Sequence, residues 1–401
     1  MTAPAKRMLA ILIVVGATIL LATFLIRPNP ITQKTPAKQE KQPMILDLDP
    51  KASWPIFRGS GDLRGMADTA LADSLKQIWK FKTGGPIRSS AVIDEGLVFV
   101  GSDDGCVYAI ELKTGTQLWR FPTGGEVEAP PCVVDGLVFA GSVDGSLYAL
   151  EAKSGLLKWE YKTEGKIHSS ANWFYAKDGL SLRVLVGSYD GKLHCVDGNS
   201  GEFLWSYQTD NYINGAAALS DDRAVFGGCD GLIHVIKTTD GSQRDTINSD
   251  SYIAGSAAIQ DGRAYVGNYD GAFVCADIRR AKRLWQYKDG DLPIFSSPAV
   301  GKEVVVFGSR DKRVHCLKRE NGKVVWTFDT LGEVDSSPVI CSDKVVVGSN
   351  DGRLYLLKLA DGKQLWSYPI GEPIVSSPAV ASGVVVVGCD DGYVYAFGPD
   401  N

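Results

Sequence analysis

Short apolar, β-branched runs such as 384–387 alternate with Gly- and Asp-rich turns along most of the chain, and the alternation itself repeats. Periods of 20–50 residues mark propellers, solenoids or arrays. Tryptophans stand at 79, 119, 159, 205, 285, 326 and 366, spaced by 40, 40, 46, 80, 41 and 40 residues. The interval of 80 hides a degenerate unit around Ile247, where the tryptophan is lost, so 79 to 366 holds seven periods averaging 41 residues and an eighth unit follows. Each unit carries a second marker: GSDDG at 101–105, GSVDG at 141–145, GSYDG at 187–191, GGCDG at 227–231, GNYDG at 267–271, GSRDK at 308–312, GSNDG at 348–352 and GCDDG at 388–392. Asp-Gly between hydrophobic runs predicts a hairpin whose two central residues take positive φ. The aspartates are therefore read as turn formers rather than metal ligands.

One unit in full reads as strands over 374–380, 384–388 and 393–397, with 364–368 as the fourth. Four short strands in about 40 residues predict an all-β, eight-bladed β-propeller of four-stranded antiparallel blades. The chain ends four residues after Phe397, which leaves the last blade a strand short. Residues 77–82 have the fourth-strand pattern with no blade before them, so they are predicted to pair with 393–397 and close the ring, leaving only short edges. The tryptophans, placed between blades, would each bury about 150–250 Å². By that pattern Trp366→Ala costs about 3–5 kcal/mol.

Composition adds the compartment. Lys6 and Arg7 precede residues 8–26, nineteen residues without a charge. As a helix this stretch would span roughly 28 Å, close to a bilayer's hydrocarbon core. No small-x-small cleavage site follows, so residues 1–26 are predicted to be an uncleaved signal anchor, one transmembrane helix that leaves the propeller on the extracytoplasmic, periplasmic side. Residues 27–53, with five prolines among polar residues, form a linker, and 54–401 the propeller. Net charge is −5; residues 1–53 hold seven Lys/Arg against three Asp/Glu, a surplus of four, so 54–401 carries about −9. An acidic body excludes nucleic acid as partner, since phosphate neutralisation needs basic patches.

The unit W-x-[YF]-x-T-G-G-x-[IV]-x-S-S-P-A-V, followed by V-x-V-G-S-x-D-G-x-[LV]-Y-A-[LI] and the next tryptophan, resembles the repeat of PQQ-like β-propellers over 79–401. Trp54-Pro-Ile-Phe-Arg-Gly59 is similar to the start of bacterial PQQ-repeat proteins related to the outer-membrane assembly factor BamB. That resemblance implies a non-catalytic envelope scaffold holding protein or peptide partners. BamB proteins are lipoproteins, whereas no cysteine here precedes Cys106, so the anchor differs. The quinoprotein dehydrogenases share the repeat and bind PQQ and calcium, which makes a quinoprotein oxidoreductase the alternative, with a ligand-binding sensor ectodomain as a third reading. Their adjacent-cysteine disulfide has no counterpart among Cys106, Cys132, Cys195, Cys229, Cys275, Cys316, Cys341 and Cys389, which are read as free thiols. No cofactor and no metal is expected.

Candidate chemistry is sparse. His194, His234 and His315 fill the slot of Tyr108 in separate repeats and are read as structural; no nucleophile elbow, phosphate loop or zinc motif is present. The residue before the recurrent Ser-Ser slot varies: Arg88, Glu128, His168, Asn214, Ala254, Phe295, Asp335, Val375. Innermost strands line a propeller channel, so Arg88, Glu128, His168, Asn214 and Asp335 are predicted to ring its mouth as a binding surface. Trp173 and Tyr175, in the one hairpin that is six residues longer, and Tyr212 and Tyr252, which replace the Thr-Gly-Gly consensus, are candidate partner contacts.

Overall fold

A computed structural model describes Asp49 and residues 52–400. The predicted signal anchor and nearly all of the linker lie outside the described residues, among which no helix is long and apolar enough to cross a membrane. The strands of the described residues form eight sheets. Seven are blades made of consecutive strands, here called A to D from the channel outward: blade 1 (92–122), blade 2 (132–162), blade 3 (172–208), blade 4 (218–248), blade 5 (258–288), blade 6 (299–329) and blade 7 (339–369). Blade 8 joins Ala379–Ala381, Val384–Gly388 and Tyr393–Pro399 to Leu75–Lys82, with Lys82 opposite Tyr393 and Leu75 opposite Pro399. The ring closes as the repeat count requires.

Three details differ from the sequence expectation. Gln364–Pro369 is strand D of blade 7, paired with Arg353–Lys358, because a tight hairpin at Gly362 folds it back on the strand before it. Strand A is only three residues long in blade 8, since 374–378 is diverted to line the channel. There Ser377 N donates to Ser90 Oγ at 2.9 Å, Ser337 N to Ser377 Oγ at 3.0 Å and Ser297 N to Ser337 Oγ at 2.9 Å, so the second serine of each pair links neighbouring blades in a belt. Finally, only the glycine of the Gly-x-x-Asp-Gly turn has positive φ, as at Gly105 (79°). Gly105 N reaches back to Ser102 O, and Asp104 braces the turn by accepting from Cys106 N at 3.0 Å, Gly84 N at 2.7 Å and Tyr108 Oη at 2.6 Å.

The tryptophans lock blade to blade. The Trp79, Trp119, Trp159, Trp285 and Trp326 indoles donate to Leu112, Ala152, Gly198, Arg319 and Leu359 carbonyls of the following blade at 2.7–3.1 Å. Each ring lies flat on a turn of that blade where a side chain has no room: a Cβ on Gly155 would come within 2.6 Å of Trp119. In blade 4 the tryptophan slot is Asp245, paired with Val235 as Trp205 is with Cys195; Ile247 sits two residues further along. With no indole above it, the matching turn of blade 5 tolerates Ala281 at φ 50°.

A segment outside the repeats fills the lower channel. Trp54 exchanges backbone hydrogen bonds with Ile93 of blade 1, and Pro55 O accepts from Val133 N of blade 2. Gly61 O accepts from Asn172 Nδ2 and Leu219 N of blades 3 and 4. Asp62, Arg64 and Gly65 carbonyls then accept from Ile259, Val300 and Ile340 of blades 5, 6 and 7, and Met66–Ala67 pairs in parallel with blade 7. One strand-like coil thus satisfies the inner edges of seven blades, which would otherwise hold buried unpaired groups. Arg58 anchors it from within: the guanidinium is buried, donates to the Ser337 and Pro338 carbonyls, and burial pushes its pKa down to about 9.

Candidate functional site

Each strand A starts at one face of the ring, and the loop before it sets one side chain at the channel opening. The structure brings Arg88, Glu128, His168, Asn214 and Asp335 into one cavity of about 170 Å³, together with Phe295 and Val375. Phe57 of the central coil also lines it, so the opening is a cup with a floor. The chain arrives on the other face, where Ser382 Oγ in the A–B turn of blade 8 donates to Asp49 O.

Charge and aromatic character divide the mouth. On blades 7, 8, 1 and 2 carboxylates dominate. Arg88 Nη1 lies 3.1 Å from Asp103 and 3.6 Å from Glu128, and its Nε lies 3.9 Å from Asp390, so one guanidinium serves three acids. Burial, reinforced by Glu128, Asp390 and Glu126 and only partly opposed by Arg88, pushes the Asp103 carboxyl up to about 6. Asp390 is pushed up for the same reasons, with Glu372 and Asp391 as its acidic neighbours. Glu128 goes the other way: its hydrogen bond with His168 Nδ1, at 2.9 Å, holds the carboxyl below its ordinary range. Asp335 is held by Arg310 at 2.9 and 3.0 Å and by Asn350 Nδ2 at 3.2 Å.

Blades 3 to 6 supply rings. His168 packs 4.6 Å from Tyr189, which stacks on Tyr212 at 4.6 Å and donates to Asn214 Oδ1. Tyr252 contacts Tyr269, Tyr269 contacts Phe295, and Arg310 lies over Phe295 at 4.1 Å. Tyr212 and Tyr252 are 51% and 56% exposed. Trp173 and Tyr175 are elsewhere. Trp173 is half-buried against the core between blades 2 and 3, and Tyr175, near the opposite face, donates to Asp135 at 2.7 Å.

Sequence reasoning missed Asp103, Tyr189, Tyr269, Arg310, Asn350 and Asp390, which all occupy the third position of the Gly-x-x-Asp-Gly turn. Their signal was available, since that position changes character from blade to blade while the aspartate after it is the same in all eight turns. The histidines are structural, as read: His194, His234 and His315 are buried, with Nε2 on Asp190, Asp230 and Asp311 at 2.9–3.0 Å and Nδ1 on Tyr161, Tyr207 and Tyr287. All eight cysteines are free thiols and seven are buried.

The family described as the beta-propeller of beta-alanine-activating enzyme matches residues 175–399, more than half of the chain. The chain belongs to this family of PQQ-like β-propellers. A second description, outer membrane protein assembly factor BamB, matches residues 69–211, so the PQQ-like propeller is also similar to BamB. Among solved structures, BamB from Moraxella catarrhalis is 19% identical, covers 81% of this chain and 100% of its own, and has a TM-score of 0.69. A europium-containing methanol dehydrogenase is 13% identical over 88% of this chain and 98% of its own, with a TM-score of 0.75. The quinohemoprotein alcohol dehydrogenase from Comamonas testosteroni is 13% identical over 87% and 81%, at 0.72. At these identities the likeness is one of fold. No curated protein matches the sequence.

Proposed function

We propose that this propeller is a non-catalytic scaffold of the bacterial envelope that docks protein or peptide partners at its channel mouth. The observation that carries this reading is the floored cup with exposed Tyr212 and Tyr252 on its rim, since tyrosines and arginines are the residues that dominate interface energetics. Asp49 lies at the face opposite the mouth, and residues 8–26 anchor the protein in the membrane with 27–53 as tether.

An oxidoreductase would have to hold pyrroloquinoline quinone, a polycarboxylate. The two arginines at the mouth are already committed, Arg88 to Asp103, Glu128 and Asp390, and Arg310 to Asp335 and Glu333. The remaining charges there are mostly acidic and would repel it. Among the described residues no three His, Cys, Asp or Glu side chains are grouped to hold a metal ion. These residues do not fit the cofactor.

Photocrosslinking in cells tests the scaffold reading. A photoreactive residue at Tyr212 or Tyr252 should give discrete adducts with envelope proteins, and the same residue at Leu118 on the outer rim should not. Adducts from Leu118 but none from the mouth would overturn it.

A further inference from the structure

Three acceptor oxygens on adjacent blades at the mouth have no donor within hydrogen-bond distance, Arg88 Nε standing off Asp390 Oδ1 at 3.9 Å. Asp103 Oδ1 of blade 1, Asp390 Oδ1 of blade 8 and Asn350 Oδ1 of blade 7 are each buried without a hydrogen-bond partner. They hold the same position in three successive turns, so the ring's repeat sets them side by side at the opening. Buried polar atoms without partners are rare in folded proteins. The side-chain amide of Asn350 is oriented by its Nδ2, which donates to Asp335, and this turns Oδ1 into the free acceptor.

The charge there is unbalanced as well. Arg88 is the cation shared by Asp103, Glu128 and Asp390, and Glu126 and Glu372 add to the field, which is why burial and acidic neighbours raise both aspartates. An added positive group would find free acceptors and relieve repulsion at once. Across the opening the exposed faces of Tyr212 and Tyr252 give an apolar wall of the kind that packs alkyl stems and rings and attracts cations. Acceptors without donors select a ligand that donates and does not accept, which describes an ammonium or a guanidinium.

We infer that the mouth takes up a lysine or arginine side chain of a partner polypeptide, its charged head donating to Asp103, Asp390 and Asn350 and the flanking residue packing on the tyrosine wall. This rests on the mouth being the docking surface and adds the chemistry that the surface selects.

Calorimetry on the full-length chain in detergent micelles tests it, with the blocked peptides Gly-Tyr-Lys-Tyr-Gly, its Gln and Glu counterparts, and spermidine as probes. The Lys peptide should bind at least ten-fold tighter than the Gln peptide, and the Glu peptide should not bind. Neutralising both acids, Asp103→Asn with Asp390→Asn, should remove at least ten-fold in affinity. Arg88→Gln, which leaves the three carboxylates uncompensated, should instead tighten binding, and circular dichroism checks that both variants fold. Affinity should rise from pH 5 to pH 7.5, because a proton on Asp103, faced by Arg88, Glu126, Glu128 and Asp390, competes with the ligand. Equal binding of Lys and Gln peptides would overturn the cation assignment while leaving the docking surface standing. Spermidine binding as tightly as the peptide would overturn the polypeptide assignment, and binding by no probe would overturn the whole inference. Absent mouth crosslinks would separately remove the docking surface on which it rests.

Discussion

Trp119 and Trp205 occupy the same repeat slot, yet the structure predicts that truncating them has unequal cost. Trp119 is 8% exposed, lies on Gly155 and donates to Ala152 O at 2.9 Å. Removing a buried indole costs about 3–5 kcal/mol, and orphaning the carbonyl adds about 1 kcal/mol, giving about 4–6 kcal/mol for Trp119→Ala. Trp205 is half-buried, its indole N–H makes no hydrogen bond, and it borders a cavity of about 550 Å³ beneath the long hairpin of blade 3. With less area to lose and no carbonyl to orphan, Trp205→Ala should cost about 2 kcal/mol. Thermal unfolding followed by circular dichroism should show Trp119→Ala melting at least twice as far below the parent protein as Trp205→Ala. Equal shifts, or a larger one for Trp205, would refute the assignment of the locking energy to burial plus the indole bond.

Further outcomes follow from backbone and charge. Lys312 holds φ 68° where the other turns have glycine, so Lys312→Gly should stabilise by about 1 kcal/mol in a denaturant titration. Gly65 has φ 64° and a Cβ there would sit 1.9 Å from Arg58 Nη2, so Gly65→Ala should displace the central coil and cost about 3 kcal/mol or more, with faster proteolysis near residue 58. The folded Asp103 carboxyl sits at about 6, above its unfolded value of about 3.9, so its protonated form favours folding and stability from this group is gained as pH falls from 7 to 4. Asp103→Asn should therefore stabilise the protein at pH 7.5 by about 1–2 kcal/mol, discounted for solvent at the mouth, and flatten that part of the pH profile.

The blade count, the ring closure by Leu75–Lys82 and the structural role of the turn aspartates were legible in the sequence, because eight copies of one unit average out local noise. The central coil was not: Trp54 to Ala67 occurs once, so no period marks it, and its carbonyls pair with seven blades far away in sequence. Strand D of blade 7 was given to the wrong unit because the tryptophan period alone does not say on which side of it a blade ends; the hairpin at Gly362 decides. At the mouth, half of the ring was legible from the variable residue before Ser-Ser. The other half hid inside a motif whose glycine and aspartate invite a purely structural reading. The Trp366 slot shows the same limit, since repeat pattern alone equates it with the others although its ring is only half-buried.

We propose that this propeller binds partners without carrying out redox chemistry. The most direct measurement is a titration of the full-length chain with pyrroloquinoline quinone and calcium, followed by calorimetry, the absorbance of the quinone and reduction of an artificial electron acceptor. No heat of binding, no spectral change and no acceptor reduction is the expected result; saturable binding with alcohol-dependent reduction would contradict the account.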